Sequence, residues 1–229
     1  MIKSVTCQNV CKSYLQGPNE VKALVDINLN IEGGEFISLC GPSGSGKTTL
    51  LNLLGGLDIS SSGEIRIAGR LLNHMSQAEL ARLRLHSIGF VFQSYNLLPV
   101  LSACENVEFI MQLQGIRAKE RRERAMLVLR EVGLSGLEDR RPGELSGGQQ
   151  QRVAIARAIV TFPSLILADE PTANLDSKTA AELMDMMLEL NEEHSITFIF
   201  STHDQLVMNY AKRLIRLHDG KIVSDDTRK

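Results

Sequence analysis

The chain carries Gly41-Pro42-Ser43-Gly44-Ser45-Gly46-Lys47-Thr48 directly after the apolar run Phe36-Ile37-Ser38-Leu39-Cys40. This stretch decides the fold, because it fits the pattern G-x-x-x-x-G-K-[ST] of a phosphate-binding loop. Its glycines let the backbone curl so that successive N–H groups point inward, and the helix that follows adds its positive N-terminal end. The alternative is an ordinary Gly/Ser turn between a strand and a helix.

The sequence on either side of the loop favours the phosphate-binding interpretation. A strand-like run precedes it, and Thr49-Leu50-Leu51-Asn52-Leu53-Leu54 follows as a buried helix. We therefore predict a nucleotide site in which Lys47 reaches the β- and γ-phosphates. The Thr48 hydroxyl is placed on Mg²⁺ in such a loop.

The composition indicates an ordinary globular protein. Its 229 residues suffice for one large domain or two small ones with a buried core. A net charge of -2 gives no sign of a protein that coats nucleic acid. No apolar run approaches the roughly eighteen residues that span a bilayer, and the N-terminus lacks the apolar segment of a signal peptide. We therefore expect the protein to stay in the cytosol.

The four cysteines, Cys7, Cys11, Cys40 and Cys104, are expected to be free thiols. Cys7 and Cys11 are close in sequence, but no second Cys/His pair at zinc spacing accompanies them. In a reducing compartment such cysteines stay unpaired. We therefore predict no metal at this pair.

Alternating and apolar runs predict that the first third of the chain is mostly β. Residues 5–15 are predicted as an edge strand and residues 23–31 as a second strand. Residues 35–40 lead into the phosphate-binding loop, and residues 64–69 form another short strand. A helix over 76–86 and a buried strand over 88–92 come next.

After Gln93 the pattern becomes helical and charge-rich over residues 104–133, with Lys119-Glu120-Arg121-Arg122-Glu123-Arg124 at its centre. This run is either a basic patch for nucleic acid or a solvated helix face. The interleaved glutamates favour the helix face, so we expect no nucleic-acid partner.

The last part of the chain predicts buried helices and strands. A buried helix is predicted over 153–160, and buried strands over 164–168 and 196–200. Between these strands, Leu183, Met186, Met187 and Leu190 recur at the spacing of an amphipathic helix, which makes the methionines core residues. Alternating pieces over 213–217 and 221–224 close the domain.

Polar residues stand at the ends of the predicted buried strands. Asp169 and Glu170 end one strand, Gln93 ends another, and His203 follows a third. In a mainly parallel sheet such strand ends converge on a ligand at one edge. Asp169 has the position of an Mg²⁺-directed carboxylate, and Glu170 suits the polarisation of an attacking water. The alternatives are two acids that cap the next helix and a structural histidine.

Leu145-Ser146-Gly147-Gly148-Gln149 is a second candidate for anion binding. It offers a hydroxyl, two glycines with accessible N–H groups, and a helix start behind them. A helix-capping turn is the alternative. Because the chain has only one phosphate-binding loop, a second phosphate-facing helix start suggests a site shared between two copies.

Together these motifs resemble the ATP-binding-cassette family, and the resemblance covers nearly the whole chain. The loop at 41–48, Gln93, the segment 145–149, Asp169-Glu170, Asn174-Leu175-Asp176 and His203 follow that family's order. The resemblance implies an α/β fold: a phosphate-loop NTPase core with a mainly parallel sheet, an N-terminal antiparallel β subdomain and an inserted α-helical subdomain. It implies a single ATPase domain over 1–229, with the nucleotide-binding core in 1–93 and 161–229 and the helical subdomain in 94–160.

The same resemblance implies ATP hydrolysis with Mg²⁺ in a head-to-tail dimer that encloses two ATP molecules. Each ATP would be held by the phosphate-binding loop of one copy and the segment 145–149 of the other. The implied catalytic residues are Glu170 as general base, His203 at the γ-phosphate and Lys47. Tyr14 would stack on adenine, and Asp176 would couple the two sites. The implied nucleotide-binding set is Tyr14, Gly41, Pro42, Ser43, Gly44, Ser45, Gly46, Lys47, Thr48, Thr49, Gln93, Ser146, Gly147, Gly148, Gln149 and Asp176, and the implied metal ligands are Thr48, Gln93 and Asp169.

Residues 90–99, 105–107 and 171–177 look like a narrower group, the ATPases of lipoprotein-release, macrolide-export and cell-division systems. In such systems a separate membrane protein inserts a short helix into a groove near the segment after Gln93. We therefore expect an integral membrane permease subunit to dock near residues 94–110, where Leu98 and Val100 are apolar. The protein would be peripheral, on the cytoplasmic face of the inner (plasma) membrane.

Two function classes remain open at this point. The first is an ATPase that drives a transporter or a mechanical lever in the membrane. The second is a soluble cassette of DNA repair or translation, which usually has tandem cassettes or long insertions. The compact single cassette favours the first class. Within it, export or lipoprotein/lipid release leads over import and over control of cell division or cell-wall hydrolysis.

Overall fold

The computed structural model describes residues 3–228, which form two sheets and seven α-helices. In chain order the elements are β1 (Lys3–Gln16), β2 (Asn19–Glu32), β3 (Phe36–Cys40), α1 (Lys47–Leu54), β4 (Ser62–Ile67), β5 (Arg70–Leu71), α2 (Gln77–Ser87), β6 (Ile88–Phe92), α3 (Ala103–Leu113), α4 (Ala118–Glu131), a short 3₁₀ turn (Pro142–Glu144), α5 (Gly147–Ile159), β7 (Leu165–Asp169), α6 (Ser177–His194), β8 (Thr197–Thr202), α7 (Gln205–Tyr210), β9 (Arg213–His218) and β10 (Lys221–Thr227).

The larger sheet has six strands in the order β10-β9-β3-β8-β7-β6. Five of them are parallel to one another, and β10 pairs with β9 in the antiparallel direction. β3 and β8 are buried along their whole length, which explains their continuous apolar sequence, because parallel strands are covered on both faces. The predicted phosphate-loop core with a mainly parallel sheet is confirmed.

The smaller sheet has four antiparallel strands in the order β2-β1-β4-β5. β1 is therefore an inner strand: Thr6 pairs with Asn30 of β2 on one side and with Arg66 of β4 on the other. The prediction of an edge strand over 5–15 is wrong. Alternation in sequence indicates a strand with one buried face, but it carries no information about which edges find a partner.

Three helices, α3, α4 and α5, lie between β6 and β7 in the chain. The helical pattern over 104–133 is divided between two of them, because Gly115 adopts φ 79 in the turn after α3. α3 begins with a capping box in which Ser102 and Glu105 bond each other's backbone N–H. The division into a core of 1–93 and 161–229 and a helical subdomain of 94–160 stays a prediction.

Two clusters of buried side chains lie on the two faces of the larger sheet. Phe36 joins the cluster that includes α3, α4, α5 and α6, whereas Ile37 joins the cluster shared with α1 and the smaller sheet. This split follows from the alternation of side chains along a strand. Met186 and Met187 are 7% and 0% exposed, so their prediction as core residues is confirmed.

The four cysteines are free, as predicted. Cys7, Cys40 and Cys104 are buried. Burial raises the pKa of the Cys7 and Cys104 thiols to about 12, so both behave as small apolar core residues at neutral pH.

Candidate nucleotide site

Four neighbouring strands of the larger sheet end side by side at one edge. Cys40 of β3 is aligned with Thr202 of β8, and Asp169 of β7 is aligned with Phe92 of β6. The segments that follow these ends are the loop 41–46, Gln93, Glu170 and His203. The convergence predicted for them therefore occurs.

The phosphate-binding loop closes onto the start of α1. Gly46 has φ 103, and a Cβ atom there would lie 2.7 Å from the carbonyl oxygen of Ala23, so only glycine fits. Lys47 is 8% exposed, and its Nζ donates to the carbonyl oxygens of Gly41 at 2.8 Å and Pro42 at 3.1 Å. The ammonium group is thereby turned back into the loop, towards the place where a phosphate would lie.

Thr48 and Asp169 form an oxygen-rich pair beside the loop. The Thr48 hydroxyl lies 3.3 Å from both carboxylate oxygens of Asp169. Gln93, at the neighbouring strand end, lines the same cavity as Thr48. Hydroxyl, carboxylate and amide oxygens are the ligands that the hard cation Mg²⁺ prefers. The three residues therefore fit the ion predicted for them.

The side chains of Glu170 and His203 form a direct hydrogen bond. Glu170 Oε1 lies 2.7 Å from His203 Nδ1, and Thr202 Oγ1 donates to Glu170 Oε2 at 3.3 Å. The Glu170 backbone has φ 48, a conformation that non-glycine residues adopt at a cost. Asp176, not Glu170, caps the following helix α6. The alternative that Glu170 is a helix-capping acid is therefore wrong.

These groups surround a cavity of about 570 Å³, a size typical of small-molecule sites. Its lining consists of Ala23, Pro42, Ser43, Gly44, Gly46, Lys47, Thr48, Thr49, Gln93, Glu170, Ala173 and His203. Gly41 and Ser45 belong to the same loop and Asp169 ends β7, but these three residues are not part of the lining. Tyr14 lies at the rim, beside the side chain of the lining residue Thr49.

The segment 145–149 starts α5 elsewhere on the surface. Ser146 is the N-cap of α5, and Gln149 completes a capping box with it. Within one chain the helix-capping interpretation is therefore correct. Among the described residues, the lining of the cavity includes none of Ser146, Gly147, Gly148 and Gln149. A role in phosphate binding thus requires the cavity of a second copy.

Asp176 lies beside this segment. It caps α6 by accepting from the backbone N–H groups of Lys178 and Thr179, and the Thr179 hydroxyl donates to it at 2.7 Å. The hydrogen bond from Thr179 holds the pKa of Asp176 below its ordinary value. A Cβ atom at Gly148 would lie 2.5 Å from the Thr179 methyl group, so α5 and α6 touch at their N-termini.

The sequence did not predict that Arg157 fixes the segment that follows Gln93. Tyr95 and Asn96 both have positive φ, 60 and 50. Arg157 of α5 donates to their carbonyl oxygens at 2.9 and 2.6 Å. Burial lowers the pKa of this arginine, which bonds carbonyls rather than a carboxylate. A single cation inside the apolar helix pattern over 153–160 was the signal for it.

A second cavity of about 410 Å³, here called the lateral groove, is lined in part by Arg157. Its lining is Leu57, Ala81, Arg84, Leu85, Ile88, Gly89, Phe90, Phe92, Asn96, Ile110, Arg157, Ala158 and Thr161. Only Asn96 and Ile110 come from the range 94–110. Leu98 and Val100, 38% and 72% exposed, lie outside this lining.

The parallel sheet with a glycine-rich loop at its edge defines the class of phosphate-loop NTPases. The family model described as "ABC transporter" matches residues 24–173, which hold the loop, Gln93, the segment 145–149 and Asp169-Glu170. The chain therefore belongs to the ABC transporter family. It is an ATP-binding cassette that binds and hydrolyses ATP.

Proteins of several organisms are similar to this chain in sequence. An ABC transporter ATP-binding protein of Methanocaldococcus jannaschii, MJ0796, is 45% identical over 97% of this chain and 96% of its own length. The lipoprotein-releasing system ATP-binding protein LolD of Chromohalobacter salexigens is 45% identical over 96% of this chain and 92% of its own length. The macrolide export ATP-binding/permease protein MacB of Hyphomonas neptunium is 46% identical, and the chain covers 35% of it. ABC transporter H family member 2 of Dictyostelium discoideum is 46% identical, and the chain covers 44% of it. The chain thus spans nearly all of two of these relatives and less than half of the other two.

Solved structures of MJ0796 have the same fold. A dimeric post-hydrolysis state of that cassette bound to ADP and Pi is 44% identical and aligns with a TM-score of 0.91 over 98% of this chain and 99% of the other. A further dimeric structure of MJ0796 aligns equally well, with a TM-score of 0.91. Within residues 3–228 of the present chain, no helix is both long and apolar enough to span a bilayer.

Proposed function

We propose that this cassette drives the release of a lipoprotein or the export of a cargo through a separate membrane subunit, to which it binds peripherally at the cytoplasmic face. The observation that carries the proposal is the cavity at the strand ends, where a phosphate-binding loop meets the Glu170–His203 pair. The similarity to LolD and MacB supports the kind of transport.

Within the cavity, the loop 41–49 would hold the phosphates of ATP with its backbone N–H groups. Lys47 would exchange its bonds to Gly41 and Pro42 for the β- and γ-phosphates. Thr48, Gln93 and Asp169 would hold Mg²⁺, which when bound neutralises part of the phosphate charge. Tyr14 would stack on the adenine base.

Glu170 would act as general base on the attacking water. Its Oε2 accepts a bond from Thr202 and its Oε1 faces His203 Nδ1, so the carboxylate is held in one orientation. The carboxylate is 17% exposed and the imidazole 73% exposed. His203 can therefore reach the γ-phosphate while it remains bonded to the base.

The second half of each site would come from a second copy of the chain. Ser146, Gly147, Gly148 and Gln149 begin α5. The capping box uses the N–H groups of Ser146 and Gln149, whereas the N–H groups of Gly147 and Gly148 and the positive helix end suit the γ-phosphate of the partner's ATP. Asp176 touches this helix start through Thr179 and would carry changes between the two sites. The dimers formed by MJ0796 support this arrangement.

The membrane subunit would dock in the lateral groove. The groove is lined by the apolar side chains of Leu57, Phe90 and Phe92 and by the cations Arg84 and Arg157. Both arginines bond backbone carbonyls, Arg84 that of Gly56 at 2.6 Å. An amphipathic helix would pack its apolar face against the apolar side chains of the groove and pair an acidic residue with these arginines. Arg157 also bonds the segment directly after Gln93. Docking would therefore change the position of Gln93 and so affect the nucleotide site.

Replacing Lys47 with methionine tests the nucleotide site. We expect ADP binding to weaken by at least about ten-fold, because hydrogen bonds to charged groups contribute about 1.5–3 kcal/mol. The measurement is a calorimetric titration with ADP. Lys212→Met removes a surface lysine that pairs with Glu192 and is the matched control, with unchanged affinity expected. Normal ADP binding by the Lys47 variant would refute the assignment.

Reversing one charge in the groove tests the docking site. We expect Arg84→Glu to reduce copurification with the membrane subunit by at least about ten-fold, because a repelled charge at a buried interface costs several kcal/mol. The basal ATP hydrolysis of the isolated chain should stay unchanged. Leu127→Glu, on an exposed position of α4, is the control. If Leu98→Glu or Val100→Glu instead abolishes copurification, docking uses the exposed residues 98–100 rather than the groove.

A further inference from the structure

Two charged residues fix Tyr14 at the rim of the nucleotide cavity. The Tyr14 hydroxyl donates to Asp58 Oδ2 at 2.8 Å, and Lys12 Nζ donates to Asp58 Oδ1 at 2.6 Å. Lys12 Nζ also lies 4.8 Å from the centroid of the Tyr14 ring. A carboxylate therefore holds the edge of the ring, and an ammonium group covers one of its faces.

Asp58 and Lys12 are themselves tied to the backbone. Asp58 Oδ1 accepts from the N–H of Ile59 at 2.7 Å, and Lys12 Nζ donates to the carbonyl oxygen of Ile59 at 2.7 Å. Burial acts to raise the pKa of Asp58, but the bonds from Lys12 and Tyr14 hold it below its ordinary value. Asp58 is therefore a carboxylate at neutral pH, and the ring has a fixed charged anchor.

Tyr14 is a neighbour of Thr49, which follows the phosphate-binding loop in α1. Burial and Asp58 raise the pKa of the Tyr14 phenol and the Thr49 side chain acts in the opposite direction, so the two side chains lie close together, and Thr49 lines the nucleotide cavity. Tyr14 remains 40% exposed, which leaves room for a flat base on the ring face away from Lys12. A ring that is already fixed loses little conformational entropy when a base stacks on it.

We propose that Lys12 and Asp58 are positioning residues that hold the Tyr14 ring for stacking on the adenine base of the nucleotide. The inference rests on the proposed function, because it takes Tyr14 as the residue that stacks on adenine. Neither Lys12 nor Asp58 is part of the lining of the cavity that holds the phosphates. They act on the binding of the base and leave the binding of the phosphates unchanged.

The experiment compares ADP with inorganic pyrophosphate in calorimetric titrations of the full chain. ADP avoids hydrolysis during the titration, and pyrophosphate reports on the phosphate-binding loop alone. Tyr14→Ala should weaken ADP binding by about ten-fold or more, as expected for loss of a base–aromatic stack. Asp58→Asn and Lys12→Met should each weaken it by about three- to ten-fold. Pyrophosphate should bind all these variants as it binds the unsubstituted chain.

Further variants separate positioning from a general structural role. Tyr14→Phe keeps the ring but loses the bond to Asp58, so combining it with Asp58→Asn should cost no more than either change alone. Lys12→Arg keeps the charge and should retain most of the ADP affinity. Arg66→Met removes the Arg66–Glu64 pair from the neighbouring strand β4 and is the matched control, with both ligands unaffected.

Each of the following three outcomes would contradict a different step of the proposal. An equal loss of ADP and pyrophosphate binding would mean that Lys12 and Asp58 support the loop rather than the ring. Unchanged ADP binding by Asp58→Asn, Lys12→Met and Tyr14→Phe, with a loss in Tyr14→Ala, would leave stacking but remove the positioning role. Normal ADP binding by Lys47→Met would instead overturn the nucleotide site. If Asp58→Asn and Lys12→Met do not fold, Tyr14→Phe still tests the positioning role, because it deletes only the oxygen atom that bonds Asp58.

Discussion

The Glu170→Gln variant is expected to bind ATP and to hydrolyse it at least about 100-fold more slowly than the unsubstituted chain, because general base catalysis contributes about 10²–10⁴ in rate. Glutamine has the size of glutamate, so it can keep the contacts to Thr202 and His203. Its amide cannot take a proton from the attacking water. ATP should therefore persist in the site, and two ATP-loaded chains should stay joined head to tail.

Phosphate release and light scattering measure the two parts of this prediction. The scattering mass should double with ATP and stay that of one chain with ADP or without nucleotide. Glu131→Gln is the control, because Glu131 Oε1 makes an equivalent contact, 2.5 Å from His194 Nε2. This pair connects α4 to α6 and is not part of the lining of the nucleotide cavity. Hydrolysis at the normal rate by Glu170→Gln would exclude Glu170 as the base. A single chain that retains ATP would mean that the cassette does not dimerise by itself.

The strand ends of the site were predictable because each is a short apolar run that stops at a polar residue. Gln93, Glu170 and His203 each directly follow one of β6, β7 and β8. Parallel strands bring such ends together whatever the sequence between them. Local periodicity and one topological rule were therefore sufficient to group residues that lie up to 110 positions apart, from Gln93 to His203.

Contacts that depend on side-chain reach were not predictable in this way. Lys12 and Asp58 are separated by 46 positions, and Arg157 bonds Asn96 across 61 positions. Neither hydrogen bond produces a periodic pattern in the sequence. A hydrogen bond requires a particular distance and angle in space, not a fixed separation along the chain. The second partner of β1 escaped prediction for the same reason, since β4 pairs with it only after the phosphate-binding loop and α1 have intervened.

The Gly148→Asp variant is expected to lose ATP-dependent dimerisation while it binds ADP with unchanged affinity. Gly148 lies in the first turn of α5, outside the lining of its own chain's cavity. A carboxylate in the first turn stabilises a helix by about 0.3–1 kcal/mol, which helps α5 to form. The new Cβ atom would lie 2.5 Å from Thr179 Cγ2, so that methyl group has to shift. Facing the γ-phosphate of a second copy, the same carboxylate would be strongly repelled.

Gly143→Asp is the control for the added negative charge. It adds the same charge in the 3₁₀ turn just before α5, where a Cβ atom meets open space, so ADP binding and dimerisation should both stay unchanged. Both variants are measured by ADP titration, and by light scattering with ATP in the Glu170→Gln background. A loss of ADP affinity in Gly148→Asp would mean that α5 serves the nucleotide of its own chain. Normal dimerisation would mean that its N-terminus faces no phosphate. Because ADP lacks the γ-phosphate, a site shared between two copies predicts that dimerisation is lost while the ADP affinity stays the same.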